Sequence, residues 1–108
     1  MAQVTWSDAW RRLYFTLGFK NYQYQAKTVG VAASKMQHTT NTLKWRAWVK
    51  IFNNSAATIY WGDASVTTAA GMPILPNDYE IIHTNEDVYC IAVGAGNDAR
   101  ILEAGTTT

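Results

Sequence analysis

His38 and His83 are the only histidines of this 108-residue chain, and a metal site built on them would need a carboxylate such as Asp63, Asp78 or Asp87. The two are far apart in sequence, and no ligand spacing of the kind metal sites use connects them. Acidic residues crowd the second half of the chain as Asp63, Asp78, Glu80, Glu86, Asp87, Asp98 and Glu103. A glycosidase would need two of them at a fixed separation across a cleft, one with its pKa raised. Most instead adjoin Gly, Asn or Pro, where an Asp side chain serves a turn by bonding nearby backbone. Gly94-Ala95-Gly96 precedes a strand-like run and has neither the lysine nor the helix that makes a phosphate-binding loop, so it reads as a hairpin turn. Cys90 is the single cysteine, which excludes a disulfide framework, and its neighbours Val88, Tyr89, Ile91, Ala92 and Val93 predict a buried thiol acting as a small hydrophobe. From these residues the expectation is a protein that is not an enzyme and carries neither metal nor cofactor.

The surplus lies in aromatic residues. Five Trp and six Tyr exceed what one small core uses, and several are interleaved with cations: Trp6, Trp10, Arg11, Arg12, Tyr14, Tyr22, Tyr24, Lys44, Arg46, Trp48 and Lys50. Such a set can stack on nucleic-acid bases or sugar rings at about 1–3 kcal/mol per stack. It can also anchor a protein interface, where Trp, Tyr and Arg are enriched, or simply pack a core with its lysines in solvent. A net charge of +1 gives no electrostatic reason to bind nucleic acid or an anionic membrane. A protein interface is therefore the preferred reading, with Trp6, Trp10, Arg11, Arg12, Tyr14, Tyr22, Tyr24 and Trp48 as its candidate residues. The low charged fraction of 16% fits a chain kept soluble by a permanent partner.

The elements that would position these residues are short. In residues 1–19 the spacing of Trp6, Trp10, Leu13 and Tyr14 suits one face of a short helix capped by Ser7 or Asp8 and stopped at Gly18; an irregular arm docking its aromatics on a sheet fits equally well. Residues 21–31 alternate, with Tyr22, Tyr24 and Ala26 opposite Gln23, Gln25 and Lys27, and predict a half-buried strand. Residues 32–42 read as a connector. Residues 43–52 give the clearest strand, with Trp45, Ala47, Val49 and Ile51 on one face and Lys44, Arg46, Trp48 and Lys50 on a basic one. Further strands are expected at 58–61, 66–68, 72–75, 79–84, 88–93 and 99–103, separated by Gly, Asn, Asp and Pro, while residues 104–108 are expected to fray. Many short strands with regular turns predict an all-β chain folded as a single antiparallel β-sandwich, jelly-roll-like, with an N-terminal arm or short helix. Residues 1–30 are read as arm and first strand, the interaction segment, and residues 31–108 as the sandwich core. No signal-peptide pattern or run of about 20 apolar residues is found, so an intracellular, soluble protein is expected.

The runs Gly62-Asp63-Ala64-Ser65-Val66-Thr67, Gly71-Met72-Pro73-Ile74-Leu75-Pro76, Val88-Tyr89-Cys90-Ile91-Ala92 and Asp98-Ala99-Arg100-Ile101-Leu102-Glu103 resemble small β-sandwich structural proteins of tailed bacteriophages. Two departures stand out: Ile74 where Leu is usual, and Asn77 where Gly commonly follows the second proline. The resemblance covers residues 49–103 and implies a virion protein, assembled in the host cytoplasm, that binds the major capsid protein or another virion protein. In that role it would be a decoration or cement protein on the capsid exterior, as a homo-oligomer and specifically a trimer. The alternative it implies is a tail, neck or fibre component, a carbohydrate-binding sandwich for host recognition with Trp61, Trp48 or Tyr60 lining a groove.

Overall fold

The structure, a computed structural model, describes residues 21–106. Eight strands follow one another: β1 (Asn21–Val29), β2 (Ser34–Lys35), β3 (Trp45–Asn53), β4 (Ile59–Gly62), β5 (Met72–Ile74), β6 (Tyr79–Ile82), β7 (Tyr89–Ala92) and β8 (Asn97–Thr106). They form two four-stranded antiparallel sheets, ordered β1-β8-β3-β6 and β2-β7-β4-β5. The pairs β1·β8, β2·β7, β3·β6 and β4·β5 are those of one long hairpin rolled up, and β3·β8 and β4·β7 close the roll. This is a β-sandwich with the strand order of a jelly roll.

Alternation sets the core. β8 turns Asn97, Ala99, Ile101, Glu103 and Gly105 inward, β3 turns Val49, Ile51 and Asn53 inward, and Ile59, Ile74, Ile82, Cys90 and Ala92 meet them from the other strands. Burying residues such as Ile51, Ile59 and Ile101 contributes about 1.5–3 kcal/mol each. Asn53 is a polar member of this core with both ends of its amide engaged. Its Nδ2 donates to the carbonyls of Ala57 (2.7 Å) and Ile74 (2.9 Å), and its Oδ1 accepts from Ser55 N (3.1 Å) and Oγ (2.6 Å). The turn after β3 is thereby tied to the strands of the opposite sheet. After Pro76, Asn77 takes the left-handed conformation, φ 63°, a backbone Asn tolerates better than most residues.

The strand expected at 66–68 is instead part of a turn-rich loop. Val66 N bonds Asp63 O at 3.0 Å and Gly71 N bonds Thr67 O at 2.8 Å, local bonds that compete with a ladder. The connector at 32–42 contains the two-residue β2 and the fully buried Met36. The tail expected to fray from residue 104 continues β8 to Thr106, because a central strand has β1 on one side and β3 on the other. β1, grouped by sequence with the N-terminal arm, is paired with β8 along all nine of its residues and is part of the sandwich.

Candidate functional site

The basic face expected on β3 is split by a register shift between Arg46 and Trp48. A bulge of this kind adds one residue to a strand and reverses the facing of everything before it. Trp45, expected in the core, is 54% exposed, whereas Arg46, expected beside Trp48 in solvent, is only 6% exposed. Gly105 lies opposite Arg46, and a Cβ there would overlap the carbonyl oxygen of Trp45, so the bulge needs a glycine partner.

Inside, the Arg46 guanidinium meets Glu103, itself 1% exposed, with Nη1 to Oε2 at 3.1 Å. Arg46 also donates to the carbonyls of Met36 (3.2 Å) and Glu86, and Glu103 Oε1 accepts from His38 N (2.8 Å) and Gln23 Nε2 (3.1 Å). The pair binds β1, β3, β8 and the 36–42 segment together. It walls one side of a polar recess of about 210 Å³, also lined by Gln37, Thr42, Lys44, Asn85 and Asp87. Both carboxylate oxygens of Glu103 are already committed, which suits a structural ion pair.

The opposite side of the same sheet is apolar and open. Tyr22 and Trp48 pair with Ala104 from its two sides; Tyr24, Leu102, Lys50 and Ile81 form the next row across the four strands, followed by Ala26, Arg100, Phe52 and Tyr79. Tyr22 and Tyr24 are 70% and 74% exposed, and Tyr79 and Ile81 are exposed too. The two cations in this field are held locally. Lys50 Nζ sits 4.4 Å from the centre of the Tyr79 ring, and Arg100 is bonded to Asp98 at 2.9 Å. Asp98 also accepts from Asn54 Nδ2, and the Arg100 guanidinium first, then Asn54, holds its carboxyl below the usual carboxylate range.

Three of the candidate interface residues, Tyr22, Tyr24 and Trp48, are thus brought onto one surface. Trp6, Trp10, Arg11, Arg12 and Tyr14 lie outside the described residues. Gln23, Gln25 and Lys27 of β1 face the other way, where they satisfy the 38–42 loop through Asn41 O, Thr39 N and Thr39 Oγ1. Sequence reasoning did not place Phe52, Leu102, Tyr79 and Ile81 on this face. Their strand alternation carried the information, but only the order β1-β8-β3-β6 puts them side by side. Trp61, Trp48 and Tyr60, offered as a sugar-binding groove, are separated: Trp61 packs on the core, Trp48 lies on the outer face of one sheet, and Tyr60 is on β4 of the other.

His38 braces its own loop, its Nδ1 accepting from Asn41 N at 3.1 Å, and His83 follows β6 on the surface. Asp63 and Asp78 accept from the backbone of Ser65 and Tyr79, while Asp87 pairs with Lys35 at 3.4 Å. No group of three His, Cys, Asp or Glu that could hold a metal is found among the described residues. Cys90 is fully buried, and burial pushes its thiol up to about 12. Comparison of the chain with known protein families, with curated proteins and with solved structures finds no match.

Proposed function

We propose that this chain is a non-enzymatic structural protein of a tailed-phage virion that docks on another virion protein through the outer face of the β1-β8-β3-β6 sheet. One observation carries the reading: Tyr22, Tyr24, Trp48, Leu102, Phe52, Ile81 and Tyr79 are in register on one side of one sheet, with their few cations neutralised or resting on rings. Aromatic anchors with little free charge are what the centre of a protein interface selects. The turn motifs that resemble phage sandwich proteins add the setting, and the jelly-roll order is one that capsid domains share, although fold alone does not assign a role.

Four strands about 4.8 Å apart and six residues of about 3.3 Å give this face roughly 400 Å². That is about half of the ~800 Å² per partner of a standard interface. In this proposal residues 1–20, with Trp6, Trp10, Arg11, Arg12 and Tyr14, supply further contact. The favoured site is the capsid exterior, where the protein would act as a decoration or cement protein that stabilises the head.

Quantitative mass spectrometry of purified particles tests the proposal through copy number. On the order of hundreds of copies per particle is the expected result, while tens or fewer would move the protein to the tail, neck or fibres. Absence from particles would overturn the virion reading, and a double Tyr22→Ser, Tyr24→Ser variant that attaches normally would overturn the choice of face.

A further inference from the structure

The two sheets have four outer strands, and three of them are poor templates for further pairing. β2 has two residues, β5 has three with Pro73 among them, and β6 has four with the exposed Glu80 in its middle. Short length, proline and charge are the usual means by which proteins blunt sheet edges. Among the described residues β1 is the longest of the four and carries neither proline nor a charge on its outer face. It runs nine residues without Pro, Gly or bulge, in unbroken register from Asn21 opposite Gly105 to Val29 opposite Asn97. Its outward side chains, Tyr22, Tyr24, Ala26 and Thr28, are uncharged, and its one charge, Lys27, faces the 38–42 loop. That loop is held by the side chains of Gln23, Gln25 and Lys27, and no main-chain bond from β1 to it is found.

We infer that β1 is the edge through which two copies of this chain associate, each β1 pairing antiparallel with the other about a twofold axis at Gln25. This register uses all nine residues and keeps inward faces on one side, because an antiparallel pair about residue 25 matches positions of equal parity. It places Asn21 opposite Val29, Tyr22 opposite Thr28, Gln23 opposite Lys27 and Tyr24 opposite Ala26. Like charges never face each other, and each aromatic ring meets a small partner across which it can lie. A second copy of the chain is the partner whose strand is self-complementary in this way, and twofold contacts of this isologous kind are the commonest in oligomers.

The product is one eight-stranded sheet, β6-β3-β8-β1 continued by β1-β8-β3-β6 of the partner copy. Its outer face joins the two aromatic fields into one surface of about 800 Å², twice the roughly 400 Å² of one copy. The inference stands on the strand edges and holds whether or not the protein belongs to a virion.

The experiment uses the isolated full chain. Sedimentation equilibrium and native mass spectrometry at tens of micromolar are expected to give a dimer. Tyr24→Lys changes an exposed side chain and brings cations to both sides of the axis. It is expected to weaken dimerisation at least tenfold, with circular dichroism and melting temperature of the subunit retained. Oxidation of Gln25→Cys is expected to give a disulfide-linked dimer, whereas Met72→Cys on the β5 edge forms no disulfide link between copies; Cys90, buried, takes no part. A monomeric or trimeric wild-type protein, a Tyr24→Lys variant that dimerises normally, or equal cross-linking at positions 25 and 72 would overturn the inference.

Discussion

Arg46 and Glu103 form a buried ion pair, 3.1 Å from Nη1 to Oε2, at the point where β3 bulges. Two charges so far from solvent are retained only because each has further hydrogen bonds: Arg46 to two carbonyls, Glu103 to two donors. Removing one partner leaves the other desolvated and uncompensated. Arg46→Met is therefore expected to cost about 3–5 kcal/mol, and Glu103→Leu to be destabilising as well. The double variant Arg46→Met, Glu103→Leu should lose much less than the sum of the corresponding single changes. Urea denaturation of the four members of the cycle measures this, and additive losses would show that the two side chains act independently.

The same bulge marks the limit of what was legible in the sequence. From Val49 to Asn53 strict alternation applies, and the inward placement of Val49 and Ile51 could be read directly. One residue inserted near Ala47 reverses the parity of Trp45 and Arg46, and nothing in a period-two pattern signals an insertion. Gly105, the residue whose missing Cβ permits the bulge, is sixty positions from Trp45 in sequence. The interaction face divides in the same way. Tyr22, Tyr24 and Trp48 stood out as more aromatic surface than a core uses. Phe52, Leu102 and Ile81, ordinary strand residues in isolation, join them only through the non-local order of the strands.

Glycine substitutions separate close approach from mere loop placement. At Gly105 a Cβ would collide with the Trp45 carbonyl and crowd Arg46 Cα at 2.9 Å, both backbone atoms that cannot step aside. Gly105→Ala is expected to cost about 1–3 kcal/mol or more, the range for overpacking in a well-packed interior. At Gly94 no atom lies within 4 Å of the added carbon. Gly94→Ala should stay within about 0.5 kcal/mol of the parent, as surface changes usually do. Thermal melts of the two variants side by side decide the matter, and similar losses at both would contradict the packing argument.

Titration should expose two groups at opposite ends of the pH range. Cys90 has its thiol raised by burial from 9.0 to about 12, so the folded state keeps the proton while the unfolded state releases it. That contribution is fully present below pH 9 and is lost as pH rises toward 12. Asp98 has its carboxyl lowered from 3.8 by Arg100 and Asn54, so its contribution is present above that value and is lost as the solution is acidified below it. Denaturation followed across pH should show a flatter alkaline limb for Cys90→Ala and a flatter acid limb for Asp98→Asn. In addition, a thiol reagent at pH 8 should label Cys90 only in denaturant, and labelling of the native protein at the same rate would contradict its burial.

The outer aromatic face should be separable from folding. Tyr22 and Tyr24 point away from the core, and their removal deletes no buried contact, so Tyr22→Ser and Tyr24→Ser are each expected to change stability by no more than about 0.5 kcal/mol. In a docked complex the same side chains would be buried at the centre of the contact, where truncating an aromatic anchor costs about 2 kcal/mol or more, roughly a thirtyfold loss of affinity. Trp48 lies beyond Ala104 from Tyr22 and is half-buried, so its indole should gain shielding when a partner covers the face. A blue shift of tryptophan emission on binding, diminished in Trp48→Phe, is the expected signature. Binding that leaves emission unchanged, or that tolerates both Tyr22→Ser and Tyr24→Ser, would place the partner on a different surface of the sandwich.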